Sequence, residues 1–389
     1  MRDHVTRFID KLVTDRSALP GEIAIAAQDD VIIAGGNPQL AQLAGDLLSR
    51  LTCLGMVVAR PSLPFADFLV ARAPQGESCI VPRDTETRTF LHDIPFVRRQ
   101  ELRGDQAAVI AKLLGNRKGV VVEGVGIVAS GALTVEQAYI NYSSVFHSTF
   151  VKYLQDLLHQ GFAVVGEEEA FTAFRKDWLH PLTAEGLGFR QGPLSGRDEI
   201  LAEIAAVGRY TVERGLVDSF FGNISYRSGG DIYISQTAAS LDALDGCIDP
   251  VPTDNSSTFG ITASSELLAH RRIYELSGAA AILHGHPKFA VIMSMECEDR
   301  HCPVTDCWKD CDRVRFLGDT PVVAGEIGAG GLAKRVPPVI AGPRKAIVYG
   351  HGVFTVGGDD FGEAFRAMVM VENWCRDEYF RRLDAGRPE

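Results

Sequence analysis

The stretch 279-AAAILHGHPKFAV-291 sets two histidines one glycine apart at the end of an apolar run. Along a strand, side chains at i and i+2 share a face, so His284 and His286 point one way with Gly285 opposite. Pro287 cannot donate to a ladder, which puts the pair at the end of a strand over 280–286. Two imidazoles so spaced begin a zinc-type centre, and catalytic zinc takes three protein ligands and keeps one position open. His351 offers a third, in 348-VYGHGVF-354, between glycines directly after another apolar strand. Glu266, in 264-SSELLAHRRIYELSG-278, opens a helix that Gly278 ends, and supplies a fourth ligand or a general base. An H-x-H pair alone is as often a surface strand pair, and Gly-His-Gly is weaker still. The combination of three such histidines with an S-S-E helix start is the specific signal. His270 competes as a ligand or is a helix-surface or packing histidine.

The same helix start suits an anion, because backbone N–H groups and the helix dipole converge there. Ser264 and Ser265 add hydroxyls, and the loop Gly222-Asn223 and the strand end at Ser235 and Thr237 add uncharged donors. Simple capping by Ser264 is the plainer account of that serine.

Working outward, the chain repeats itself. Residues 90-FLHDIPFV-97 match 316-FLGDTPVV-323, and 120-VVVEGVGIVASG-131 matches 346-AIVYGHGVFTVG-357 at the same offset. Each run leads into a long helical pattern, over 135–158 and 361–383. A third pair, 57-VVARPSLPFADFLV-70 with 281-AILHGHPKFAVIMS-294, needs a two-residue slip. That slip sets Arg60 and Ser62 in the places of His284 and His286, with Val125 in the place of His351. Two related lobes are expected, 1–185 and 186–389, joined through the Gly- and Pro-bearing segment 175–196, with the first lobe non-catalytic. In the second lobe a helix is expected over 198–214. The segment 221-FGNISYR-227 is expected to be a loop leading to a strand over 231–237, followed by a further loop over 249–260. The run 124-GVGIVA-129 fits G-x-G-x-x-A, but the repeat accounts for its glycines and no acidic residue ends a second strand about 20 residues on.

The 389 residues suffice for two such lobes, and 46% hydrophobic with 23% charged residues is a globular balance. A net charge of −11 speaks against nucleic acid. No apolar run approaches the roughly 20 residues of a membrane span, and the opening MRDHVTRFIDKLV reads as an amphipathic helix, not a signal peptide. A cytoplasmic protein is expected, in which eight cysteines are thiols or metal ligands and not disulfides. Cys297, Cys302, Cys307 and Cys311 fall in 296-ECEDRHCPVTDCWKDC-311; four thiolates suffice for a second zinc or an iron–sulfur cluster, although C-x4-C-x4-C-x3-C is not the usual paired spacing. The alternative is a loop of free thiols. The other four cysteines read as core residues.

G-N-I-S at 222–225, I-S-Q-T at 234–237, S-S-E at 264–266, H-G-H-P at 284–287 and G-H-G at 350–352 occur in the order of the class II aldolase/adducin family, which residues 198–385 resemble. The family is typified by L-fuculose-phosphate aldolase and L-ribulose-5-phosphate 4-epimerase. The resemblance implies an α/β fold, three-layer α/β/α with a central mainly antiparallel sheet, here as two related lobes in tandem. It implies that His284, His286 and His351 bind a divalent metal, Zn2+ first and Mn2+, Co2+ or Fe2+ as alternatives. Glu266 would be the catalytic acid/base, and Gly222, Asn223, Thr237, Ser264 and Ser265 would hold a substrate phosphate. The implied activity is metal-dependent aldol cleavage of a small phosphorylated sugar or hydroxy-ketone through an enediolate, in a homo-oligomer (a dimer or tetramer of tandem chains). Epimerisation on the same centre is one alternative and a non-enzymatic adducin-like role another. A nucleotide-binding oxidoreductase is the outsider. Ala238 stands where these aldolases often carry glycine. Segment 296–318, where they place a tyrosine that serves a neighbouring subunit, has cysteines and no tyrosine.

Overall fold

A computed structural model describes residues 1–218, 220–299, 301–325 and 329–386. The chain forms two units, Met1–His180 and Pro181–Glu389. The first has seven strands, β1 Ala18–Gln28, β2 Ile32–Gly36, β3 Gly55–Pro61, β4 Cys79–Ile80, β5 Ile94–Val97, β6 Gly119–Val122 and β7 Gly126–Gly131, of which β3, β5, β6 and β7 lie in the repeated runs. They assemble in the order β2-β1-β3-β7-β6-β5-β4, antiparallel throughout except for β5 beside β6. The second unit has β8 Asn223–Ser228, β9 Asp231–Ser235, β10 Ile248–Pro252, β11 Ala281–Gly285, β12 Arg315–Leu317, β13 Thr320–Val323, β14 Lys345–Val348 and β15 Gly352–Gly357. Their order is β10-β9-β8-β11-β15-β14-β13-β12, with β13 beside β14 the parallel pair. Both sheets are mixed and mainly antiparallel, so the expected α/β class and the tandem arrangement hold.

Helices cover both faces of each sheet. In the second unit the helix Leu267–Ser277 and the segment around Leu332, Val336 and Ile340 pack on Ile282, Val348 and Phe354. On the opposite face a Cβ at Gly285 would lie 3.0 Å from Sδ of Met368, in the helix Phe361–Ala385. The first unit repeats this plan with Ile110 and Leu114 over Met56, Val122 and Val128.

The two plans share one register. Residues of β5, β6 and β7 and the start of the helix Val135–Gln160 each recur 226 positions later in β13, β14, β15 and the helix Phe361–Ala385. The pairings repeat too: Phe96↔Val121 becomes Val322↔Ile347. Gly55↔Gly131 in the first sheet corresponds to Ala281↔Gly357 in the second, so β3 aligns with β11 at the same offset of 226. The two-residue slip expected from sequence is therefore wrong: Arg60 is not the counterpart of His284, nor Ser62 of His286. Val58 stands where His284 stands and Arg60 where His286 stands; Val125 does match His351. The similarity of 61-PSLPFADF to the H-P-K-F segment suggests the slip, whereas ladder pairing fixes the register, with Gly131 and Gly357 at equivalent ends.

Two loops expected in the second unit are strands. Residues 223–228 form β8, hairpin-paired to β9 across Gly229-Gly230, with Gly229 at φ 59°. The alternation of N-I-S-Y-R on one side and D-I-Y-I-S on the other carries this hairpin. Ile248–Pro252 forms the edge strand β10, a position that tolerates its prolines. The helix expected over 198–214 spans Arg197–Glu213, and Gly278 ends its helix at φ 65° as expected. Among the described residues no helix is long and apolar enough to cross a membrane.

Candidate metal centre

His284 lies on β11 between Asn223 of β8 and Phe354 of β15. Its ring is fully buried and stacked on Phe354, with centroids 3.9 Å apart. Nδ1 is 3.1 Å from the Val353 carbonyl oxygen. A carbonyl only accepts, so Nδ1 carries the proton and Nε2 presents a lone pair. His286, one residue past the strand end, turns its Nε2 to within 3.1 Å of Nε2 of His284, and its ring stacks on Phe221. His351 sits in the turn between β14 and β15, following Gly350 at φ 59°. One ligand atom from each of the three rings lies within 4.8 Å of the others. Gly352 makes room for them: a Cβ there would lie 2.4 Å from the Gly285 oxygen, 2.7 Å from Cδ2 of His286 and 2.9 Å from Cε1 of His284.

Glu266 is the residue before the first turn of the helix Leu267–Ser277 and is itself buried. Oε2 lies 3.5 Å from Nε2 of His284 and Oε1 lies 3.6 Å from Nε2 of His351. Asn223 donates Nδ2–H to Oε2 at 2.8 Å. Burial governs the titration of these groups. It drives His284 down to about 3, against a weaker opposing effect of the Val353 carbonyl. It drives His351 down to about 4, opposed by the charge of Glu266. It pushes Glu266 above the usual carboxylate range, opposed by His351 and Asn223. At neutral pH the His284 and His351 imidazoles are therefore uncharged, which is the ligand form. Neutral buried imidazoles with an inward lone pair beside a carboxylate are a donor set that fits a divalent cation of the Zn2+ type.

The residues assigned to a phosphate are divided. Gly222, at φ 77°, packs so closely that a Cβ would lie 2.5 Å from the His284 oxygen. The Asn223 side chain is engaged at both ends, by Glu266 and by His270, and forms the floor of the centre. Thr237, Ser264 and Ser265 lie on adjoining segments, because Gln236 bridges Ala263 and the Ser264 N–H donates to the Ser235 oxygen. Thr237 and Ser265 are exposed and Ser264 is buried, with its Oγ accepting from the Glu266 N–H at 3.3 Å. Ala238 holds φ 59°, the left-handed region.

Cys297, Cys302, Cys307 and Cys311 are free thiols, Cys297 exposed and the others half-buried. Sγ of Cys307 donates to the Val304 oxygen at 3.7 Å and Sγ of Cys311 to the Arg313 oxygen at 3.9 Å. Among the described residues the cysteines are not gathered into a ligand set; the histidine triad is. Of the remaining cysteines, Cys53 and Cys375 are buried and Cys79 and Cys247 half-buried.

Sequence reasoning missed Ser225 and Tyr274; of the alternatives open for His270, a ligand or a helix-surface or packing histidine, the structure gives a fully buried residue outside the triad. The signal was present. His270 and Tyr274 follow Glu266 at i+4 and i+8, one helix face, while Asn223 and Ser225 share one face of β8.

Residues 202–379 match the family described as Class II Aldolase and Adducin N-terminal domain. Over these residues the second lobe is thus similar to the class II aldolase and adducin family. The chain is 31% identical over 104 residues to 3-oxo-tetronate 4-phosphate decarboxylase of Cupriavidus necator, a match covering 26% of this chain and 48% of that relative. It is also similar to the crystal structure of L-fuculose-1-phosphate aldolase from Thermus thermophilus (24% identity, 50% of this chain and 100% of that chain, TM-score 0.41). A sugar-phosphate aldolase from Thermotoga maritima is similar at 19% identity, over 49% of this chain and 98% of that chain, with TM-score 0.37.

Proposed function

We propose that the second lobe is a metal-dependent lyase acting on a small phosphorylated sugar or hydroxy-ketone, with His284, His286 and His351 as metal ligands and Glu266 as the acid/base. The observation that carries this is the buried triad with a carboxylate 3.5–3.6 Å from two of its rings. A divalent ion, Zn2+ first, would polarise a substrate carbonyl and hydroxyl. Glu266, lifted toward neutrality by burial, takes a proton from the substrate and returns it to the product. Asn223 fixes Oε2, while Oε1 faces Nε2 of His351. Hydroxyls of Ser264 and Ser265 would supply uncharged donors to a phosphate, with Thr237 beside them, its hydroxyl donating to the Ala263 oxygen at 2.9 Å, and Gly222 and Asn223 beneath.

The relative in Cupriavidus necator favours a second reading, decarboxylation of a phosphorylated 3-oxo sugar acid, on the same residues. Epimerisation would use them as well. The first lobe, with Val58, Arg60 and Val125 at the ligand positions, is proposed to be non-catalytic and to serve assembly, in a dimer or tetramer of tandem chains.

Elemental analysis of the full chain and of His284→Ala/His286→Ala tests this. About one divalent ion per chain, lost in the double variant, is expected, together with loss of turnover on a panel of ketose phosphates and 3-oxo acid phosphates. A wild-type chain that takes up no metal on titration contradicts it, and a second equivalent surviving in the double variant would restore the cysteines as a metal site.

A further inference from the structure

Behind Glu266 runs a line of buried polar side chains of which the proposed chemistry uses only Asn223. Asn223 lies between Glu266 and His270, with Nδ2 2.8 Å from Oε2 of Glu266 and Oδ1 2.5 Å from Nε2 of His270. Nδ1 of His270 is 2.6 Å from Oγ of Ser225, and that oxygen is 2.7 Å from the Tyr274 hydroxyl. None of these four residues is more than 4% exposed.

The protons on this line can be assigned from one end. A carboxylate accepts, so Asn223 turns its NH2 to Glu266 and its oxygen to His270. That oxygen accepts, so His270 carries its proton on Nε2. The Nδ1 of a neutral ring accepts, so Ser225 donates to it and receives from Tyr274. With Glu266 ionised and His270 held as the Nε2–H tautomer, turning the Asn223 amide over would set oxygen against oxygen and N–H against N–H.

The tandem lobe supplies a comparison within the chain. At the registers of Asn223 and Ser225 it has Ala24 and Ala26, and at that of His284 it has Val58. Buried polar groups are costly unless satisfied, and here they occur in the lobe that has the triad and are replaced by alanine in the lobe that lacks it.

We infer that His270 is a positioning residue: by fixing the orientation of the Asn223 amide it holds the Glu266 carboxylate against the histidine triad. The inference rests on the metal reading above. Its first test does not need metal. In the metal-free full chain with 15N-labelled histidine at neutral pH, the His270 resonance, identified by its absence in His270→Gln, should show the Nε2–H tautomer. An Nδ1–H tautomer or an imidazolium would overturn the assignment.

The second test uses cobalt(II) as a probe. Partners behind metal ligands typically hold 10–100-fold in affinity. His270→Leu is expected to weaken cobalt(II) binding by roughly ten-fold and to change its visible spectrum. His270→Gln, whose amide can donate as Nε2–H does, should restore both. Ser225→Ala, a smaller change should His270→Leu fail to fold, is expected to shift the spectrum in the same sense. Folded His270→Leu and Ser225→Ala variants with the wild-type spectrum and affinity would overturn the role. A wild-type chain that takes up no cobalt overturns the metal reading instead, and the tautomer then decides the positioning role.

Discussion

Asn223 and Glu266 come from different elements, a strand start and a helix start, and meet through a 2.8 Å hydrogen bond in which the amide donates to the buried carboxylate. Asn223→Ala removes a partner from Glu266 and from His270 at once. Leaving a buried polar group unpaired costs about 1–3 kcal/mol, more for a charged one. Denaturant unfolding of the metal-free chain is expected to register a loss of that order, and a loss within error of zero would show that water replaces the amide.

The metal-free chain should be acid-sensitive. His284 and His351 titrate at about 3 and about 4 in the folded state, against 6.5 as the ordinary value. As pH falls below about 6.5 the unfolded chain takes up protons that the folded chain refuses, so stability declines until the folded values are reached. Glu266 acts in the other direction: its folded pKa is raised above 4.5, so its contribution is present at low pH and is lost as pH rises through the folded value. Unfolding free energy measured from pH 7 to pH 4 should fall less steeply in His284→Leu than in wild type. Glu266→Gln should gain on wild type as pH rises. Equal slopes in all three would contradict the burial argument.

The paired segments on which the repeat rested were legible because hydrophobic runs, glycines and the F-L-x-D-x-P octets survive in both lobes. The triad residues were legible because each follows an apolar strand. What failed was register: 57-VVARP aligned with 281-AILHG by apparent similarity, and only ladder pairing set Val58 opposite the role of His284. The network behind Glu266 was also missed, since its parts lie on a strand and a helix and come together only through packing. The cysteine cluster left a ligand set and free thiols both open on an unusual spacing, and two of its thiols, Cys307 and Cys311, meet nearby backbone oxygens.

Ala238 tests a local strain. Its φ of 59° is left-handed, a region where a Cβ crowds the backbone and glycine does not. Ala238→Gly should therefore raise stability in spite of the added freedom of the unfolded chain, by about 1 kcal/mol. Thr237 precedes it, so the same variant should alter inorganic phosphate binding if Thr237 contributes a donor. Calorimetric titration with phosphate and urea unfolding read the two effects separately, and a destabilised variant would show that the loop is held by contacts other than its own backbone.

Gly352 couples the fold to the triad most directly. It starts β15 one residue after His351, and the space a side chain would need is filled by the Gly285 oxygen and by two of the imidazoles. Backbone cannot yield as a flexible side chain does, so Gly352→Ala must push His284 and His286 apart or part β15 from β11. Displacing ligands in this way is expected to lower divalent metal affinity at least ten-fold, by the same reasoning that makes misplaced supporting groups costly at metal sites. Gly358→Ala is the control, since its Cβ would meet only the ends of Arg344 and Glu363 at 3.3 Å and 3.6 Å. Titrating both folded variants with zinc against a chromophoric chelator measures this. If Gly352→Ala binds as tightly as Gly358→Ala, the triad does not hold the metal in the arrangement described.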